Sequence, residues 1–248
     1  MFYGLKVRIY LISTELWILI VEMVKNLINL FFPEVCYGCK AFLSDNEKYL
    51  CTDCRHNLPL TNFHRDSENA VHKILYGRVK LENATALLHF SKKGIVQQLM
   101  HNLKYRGHEK IGLFLGQWMG EELKNIKSYQ SIDIVIPVPL HKSKLRKRGY
   151  NQVDKFGRAI AGALNADFED SILLKIRKTK TQVFKNRLKR SSQIDSRFTL
   201  SDTEILNGKH VLLVDDIITT GATIESCAKA LNLAKSTKLS IALMSITD

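Results

Sequence analysis

One stretch constrains this chain more than any other: Val211-Leu-Leu-Val-Asp-Asp-Ile-Ile-Thr-Thr-Gly-Ala-Thr223. Val211 to Val214 is a short apolar run of the kind buried on both faces of a parallel sheet. Asp215 and Asp216 are expected where that strand ends. A small hydroxyl-rich turn around Gly221 follows, from Thr219 to Thr223. Ile224, Cys227, Ala228, Leu231 and Ala234 then fall at helical spacing, which predicts a helix from Ile224 to Ala234.

The order strand, acidic pair, glycine turn, helix has a chemical meaning. A helix N-terminus offers unpaired N–H groups and partial positive charge, which suit a phosphate. Gly221 lets the backbone close around it. Two carboxylates just upstream suit hydroxyls or a Mg2+ ion. A phosphate one loop away from a diol describes a ribose 5-phosphate. A capped helix after an ordinary strand is the plainer alternative, and the complete string favours the ligand.

A second strand-loop-helix unit has the opposite charge. Ile132 to Val138 predicts a strand that runs into Pro137-Val-Pro139, where ladder donation stops. A cationic loop from Leu140 to Gln152 follows, then a helix from Gln152 to Leu164. In a doubly wound sheet both loops lie at the carboxyl ends of their strands and face one crevice. The acidic loop suits the sugar phosphate and the cationic loop suits a diphosphate.

Charge supports that picture. The formal net charge is +13, and residues 141–197 hold 16 Lys/Arg against 5 Asp/Glu, or +11. An anionic partner is expected, either a polyphosphate or a nucleic acid. Within this zone, Asp167 to Leu200 is a long polar insertion with Lys185, Arg187, Lys189 and Arg190 close together. It reads as a mobile lid over a polyphosphate, a nucleic-acid contact or a solvated hairpin.

Four of the five cysteines form two C-x2-C pairs, Cys36/Cys39 and Cys51/Cys54. Two such knuckles at this spacing place four thiolates around one Zn2+. Redox chemistry needs a single C-x-x-C. With four protein ligands the site is closed, hence structural. Cys227 is expected in the core. An odd cysteine count with no disulfide ladder and no clear secretion signal points to the cytoplasm.

Leu11 to Phe32 is apolar-rich, but Glu15, Glu22 and Lys25 interrupt it, so no membrane insertion is expected. Leu16, Ile20, Met23, Leu27 and Leu30 predict an amphipathic helix packed on the domain. Met23 is a second possible start, which makes residues 1–22 an extension. Residues 33–60 form the cysteine module, 61–83 a linker, and 84–248 the main α/β domain. The main domain opens with a strand, Ala84 to Phe90, and helices over Gly94 to Lys104 and Ile111 to Leu123. Gly112, Gly116 and Gly120 recur every four residues and predict close helix packing.

Together these features resemble the competence protein F (ComF) family of type I phosphoribosyltransferase-like proteins. The residues that carry the resemblance are Phe32-Pro33 before the cysteine pairs, Lys104-Tyr-Arg-Gly107, Pro137-Val-Pro-Leu140, Arg148-Gly-Tyr-Asn-Gln152, Thr181-Gln182, Arg190 and the stretch Val211 to Thr223. The resemblance implies an α/β fold of about five parallel strands flanked by helices, with a small N-terminal zinc ribbon. It implies 5-phosphoribosyl 1-diphosphate (PRPP) with Mg2+ as ligand, and diphosphate displaced by an acceptor of unknown identity. Asp215 and Asp216 would hold the ribose hydroxyls and stabilise developing positive charge. Thr219, Thr220, Gly221, Ala222 and Thr223 would wrap the 5-phosphate. Val138, Pro139, Leu140, His141 and Lys142 would cradle the diphosphate, with Arg148 or Arg190 neutralising it. Purine-salvage enzymes of this fold carry Asp at the first loop position. Thr219 here points away from hypoxanthine and guanine. The family's link to natural transformation makes single-stranded DNA and competence proteins expected partners. A non-catalytic PRPP-fold module is the alternative to an enzyme.

Overall fold

The structure is a computed structural model that describes residues 16–24, 27–176 and 197–247. Thr181, Gln182, Lys185, Arg187, Lys189 and Arg190 lie outside the described residues, as do 1–15 of the proposed extension. The chain divides into two compact units, Met1–Arg55 and His56–Asp248.

In the first unit, residues 16–24 and 27–31 are helical, as the spacing predicts. Leu16, Ile20, Met23, Leu27 and Leu30 are all exposed. The cysteine module after them is held by isolated bridges, Val35 to Phe42 and Lys48 to Leu50. Glu47 ties its two halves: Oε2 accepts from the Ser44 N–H at 2.9 Å and Oε1 from the Thr52 hydroxyl at 2.8 Å.

The second unit is built on a five-stranded sheet in the order β1-β7-β6-β2-β3. The strands are β1 (Asn83–Phe90), β2 (Ile134–Pro137), β3 (Asp167–Phe168), β6 (His210–Ile218) and β7 (Lys238–Thr247). Every pairing in this sheet is parallel. That explains why the central strands carry near-continuous apolar runs, since helices cover both faces. Helix α1 (Ala70–Leu75) precedes β1. Between β1 and β2 lie α2 (Ile95–Tyr105) and α3 (Lys110–Leu123), and α4 (Lys142–Arg148) and α5 (Asp154–Leu164) separate β2 from β3. Helix α6 (Ala222–Leu231) joins β6 to β7, and a separate antiparallel pair, β4 (Leu173–Lys175) with β5 (Phe198–Leu200), flanks residues 177–196.

Three features of this unit depart from the sequence expectation. The strand does not end at the acidic pair: β6 runs on to Ile218 because its partner β7 keeps pairing as far as Ile218↔Ile246. On its other side the ladder with β2 stops at Pro137↔Val214. The carboxylates therefore stand inside a strand, at the point where one edge opens. The cationic stretch is also not a plain loop. Residues Lys142–Arg148 form α4, capped by His141 Nδ1, which accepts from the Ser143 N–H at 3.2 Å, and ended by Gly149 at φ 84°. Helix α6 starts two residues earlier than expected and stops three residues earlier.

The glycine stripe packs α3 directly onto α5. A Cβ on Gly116 would lie 2.5 Å from the Phe156 carbonyl oxygen and 2.8 Å from its Cα. Backbone cannot yield as a flexible side chain does. Gly116→Ala is therefore expected to cost about 3 kcal/mol, lowering the melting temperature by roughly 5–10 °C. Thermal unfolding followed by circular dichroism measures this, and an unchanged midpoint would refute the close packing.

Candidate functional site

Adjacent strands bring the two sequence loops together. β2 and β6 run side by side from Ile134↔Val211, and the Val138 N–H extends the ladder to the Val214 carbonyl at 2.9 Å. The cationic segment leaves β2 where the acidic pair occupies β6. Opposite charges meet at the carboxyl end of the sheet because the strands are parallel and neighbours.

Asp215 and Asp216 are both buried, with exposures of 9% and 5%. The Asp216 N–H donates to Asp215 Oδ1 at 2.8 Å. Burial, then the neighbouring Asp216 charge, pushes the Asp215 carboxyl up to about 8, against the pull of Lys104 and Lys175. Asp216 meets two partners on one oxygen. Lys104 Nζ lies 3.0 Å from Oδ2, and Gln152 Nε2 donates to it at 2.6 Å. Arg148 in turn donates to Gln152 Oε1, and its guanidinium stands 5.7 Å from the Tyr105 ring centroid. One connected set of side chains thus links α2, α4 and β6 at the crevice.

The glycine turn after β6 has a shape that a phosphate could use. Gly221 adopts φ 73° and precedes the first residue of α6. Thr219, Thr220 and Thr223 are exposed, so their hydroxyls face solvent or a ligand. On the cationic side, Pro139 and Leu140 are half-buried and Lys142 is exposed. A cavity of about 910 Å3 lies beside them, lined by Pro139, Leu140, Lys142, Arg146, Asp154 and Lys175 among others.

One residue of this site carried no sequence signal, and another carried one only through the family resemblance. Lys104 opens the Lys104-Tyr-Arg-Gly107 string, and its ammonium reaches Asp216. Arg78, in the low-signal linker, donates to the Thr220 carbonyl of the glycine turn at 2.6 Å.

The thiolates fit a metal. The four Sγ atoms of Cys36, Cys39, Cys51 and Cys54 lie within 4.8 Å of one another. A tetrahedral zinc site with Zn–S bonds of about 2.3 Å has edges of about 3.8 Å, and Cys39 to Cys51 is 3.7 Å. Backbone N–H groups of Gly38 and Cys51 point at Cys36 Sγ at 3.4 and 3.3 Å, and that of Cys54 points at Cys51 Sγ at 3.4 Å. Such donors favour thiolates, as a metal site requires.

A family profile described as the phosphoribosyl transferase domain matches residues 155–244, which include Asp215, Asp216 and the turn at 219–223. The DNA utilization protein YhgH of Escherichia coli K12 is 24% identical over 200 residues, spanning 79% of this chain and 83% of that one. The competence protein ComFC of Streptococcus pneumoniae is 32% identical over 145 residues, 58% of this chain and 60% of that one. The competence protein F of Haemophilus influenzae is 31% identical over 100 residues, 40% and 44% respectively. Among the described residues no helix is long and apolar enough to cross a membrane.

Proposed function

Because the chain belongs to the ComF family, with a phosphoribosyltransferase-type fold, we propose that the crevice binds Mg-PRPP and transfers its phosphoribosyl group to a nitrogen acceptor. The observation that carries this reading is the meeting of Asp215 and Asp216, the phosphate turn and the cationic segment at neighbouring strand ends. Each would take a different part of one ligand. The exposed threonines and the start of α6 take the 5-phosphate. Asp215 and Asp216 take the 2- and 3-hydroxyls. Val138 to Lys142 and Arg148 take the diphosphate. Arg190 would join them from the long basic segment.

When bound, Mg2+ screens the diphosphate charge and makes it a better leaving group. The chain's own residues do the rest. The C1–O bond breaks toward the cationic side, so Arg148 and Lys142 face the departing negative charge. Positive charge grows on the ribose, so the acidic pair beneath it lowers the barrier. Lys104 and Gln152 hold Asp216 in one orientation for that task.

The competence and DNA-utilization names of the relatives favour an acceptor or partner tied to DNA. A specific observation supports a nucleic-acid contact as a second reading. Helix α4 carries Lys142, Lys144, Arg146, Lys147 and Arg148 and buries none of its residues. Exposed Tyr105, with Arg148 against its ring, adds a surface on which a base can stack.

Titration calorimetry with Mg-PRPP, followed by a diphosphate-release screen against bases, amines and DNA ends, tests both. Micromolar binding and release with one acceptor class is expected. No binding overturns the ligand, whereas binding without release in any arm leaves the non-catalytic alternative. Salt-independent DNA affinity would exclude the contact through α4.

A further inference from the structure

Arg78 stands in the stretch between α1 and β1 and reaches across to the opposite end of the chain. Its guanidinium makes four hydrogen bonds. Nη1 donates to the Thr220 carbonyl at 2.6 Å and to the Ile74 carbonyl at 3.2 Å. Nε and Nη2 both donate to Glu225 Oε2, at 2.9 and 2.6 Å. Glu225 lies in the first turn of α6, and its other oxygen takes Lys229 Nζ at 2.6 Å.

A phosphate turn works by aiming successive N–H groups inward. Carbonyls of the same turn must then point outward, and each needs a donor there. Thr220 is such a carbonyl, and Arg78 supplies its donor. The surface behind the turn is equally close-fitting. A Cβ on Gly221 would sit 2.7 Å from Leu75 Cδ2, 3.1 Å from Ile74 Cγ2 and 3.5 Å from Arg78 Nη1. The end of α1 and Arg78 thus form one backing plate against which the turn is set.

We propose that Arg78, locked by Glu225, is a positioning residue that fixes the phosphate turn with its N–H groups directed at the 5-phosphate. The inference rests on the PRPP reading of the site. Arginine suits the task because one planar fork serves the turn, α1 and α6 together, which a lysine ammonium cannot do with the same geometry. The Arg78 side chain is 37% exposed, so truncating it opens no core cavity. Its effect should therefore fall on the turn and not on global stability.

The test compares Arg78→Ala, Arg78→Lys and Glu225→Gln with the unchanged protein, using ribose 5-phosphate and inorganic diphosphate as separate probes in calorimetry. Amide hydrogen exchange of residues 220–224 is measured in the free protein. Arg78→Ala is expected to weaken ribose 5-phosphate about tenfold or more, the loss of a charge-assisted bond set. Diphosphate binding should stay within about twofold, and the turn amides should exchange about tenfold faster. Arg78→Lys should recover only part of both effects, and Glu225→Gln should reproduce them in weaker form. Equal losses for both probes, or unchanged exchange, overturn the proposal. If the unchanged protein binds neither probe, the PRPP reading fails, and the exchange rates alone decide the role of Arg78.

Discussion

Asp215→Asn is expected to abolish Mg-PRPP binding in calorimetry while making the free protein more stable at alkaline pH. The two effects have one cause. Asp215 is a buried carboxyl beside a second buried carboxylate, and its titration is pushed up to about 8. In the unfolded chain an aspartate titrates near pH 4. Between those values the folded state holds a proton that the unfolded chain has released. Stability therefore falls as pH rises from about 4 to about 8, then levels off. Asparagine removes this penalty. Its advantage in melting temperature should be small at pH 5 and full by pH 9. The shift sets a ceiling on the order of 5 kcal/mol, which Lys104 and Lys175 are arranged to share. A gain of roughly 5 °C or more at pH 9 is expected, alongside at least about a hundredfold loss of PRPP affinity in calorimetry at that same pH, where Asp215 is ionised and the neutral amide cannot replace a charged acceptor for the ribose hydroxyls. Unaltered affinity would remove Asp215 from the site. A melting difference that is the same at both pH values would show that the carboxylate carries no strain.

What the sequence displays and what it hides separates along physical lines. The acidic string, the cationic segment and the cysteine pairs are legible because each is local: the residues that act together are neighbours in the chain. The parallel sheet is legible from the long apolar runs of β6 and β7. The extension of β6 through Asp215 and Asp216 is not, since two charges interrupt the apolar run and the pairing that carries the strand onward comes from β7. Helix α4 is hidden for a related reason. It buries no side chain, so it has no apolar period to detect, and only the His141 cap and Gly149 mark its ends. Arg78 is invisible, and the contact of Lys104 with Asp216 is not legible in the Lys104-Tyr-Arg-Gly107 string, because both act far from their own position in the chain. Arg78 meets a carbonyl 142 residues away, and only the fold brings the two together.

Replacing Cys36 or Cys54 by serine is expected to remove bound zinc and unfold the cysteine module. Both are buried, at 1% and 2% exposure, as is Leu50 between the two cysteine pairs. Burial alone pushes a thiol up. At Cys36 the N–H groups aimed at its sulfur outweigh burial and bring it down to about 7, so a thiolate forms near neutral pH. At Cys54 burial and the neighbouring thiols win in the metal-free state and hold its titration above the ordinary range. A cation is what reconciles four sulfurs within one coordination sphere. The module has too little apolar surface to fold by burial, so bound zinc would supply its folding energy, about 10–16 kcal/mol in structural zinc sites of this kind. Protein purified without chelator should contain one zinc per chain by elemental analysis. Cys54→Ser should reduce that by more than about tenfold, and limited proteolysis should then cut first between Cys39 and Cys51. A serine hydroxyl cannot stand in for the thiolate, because it stays protonated and bonds zinc weakly. Protein that carries no zinc, yet resists proteolysis between those cysteines, would show that the Glu47 hydrogen bonds and the N–H contacts to sulfur hold the module by themselves.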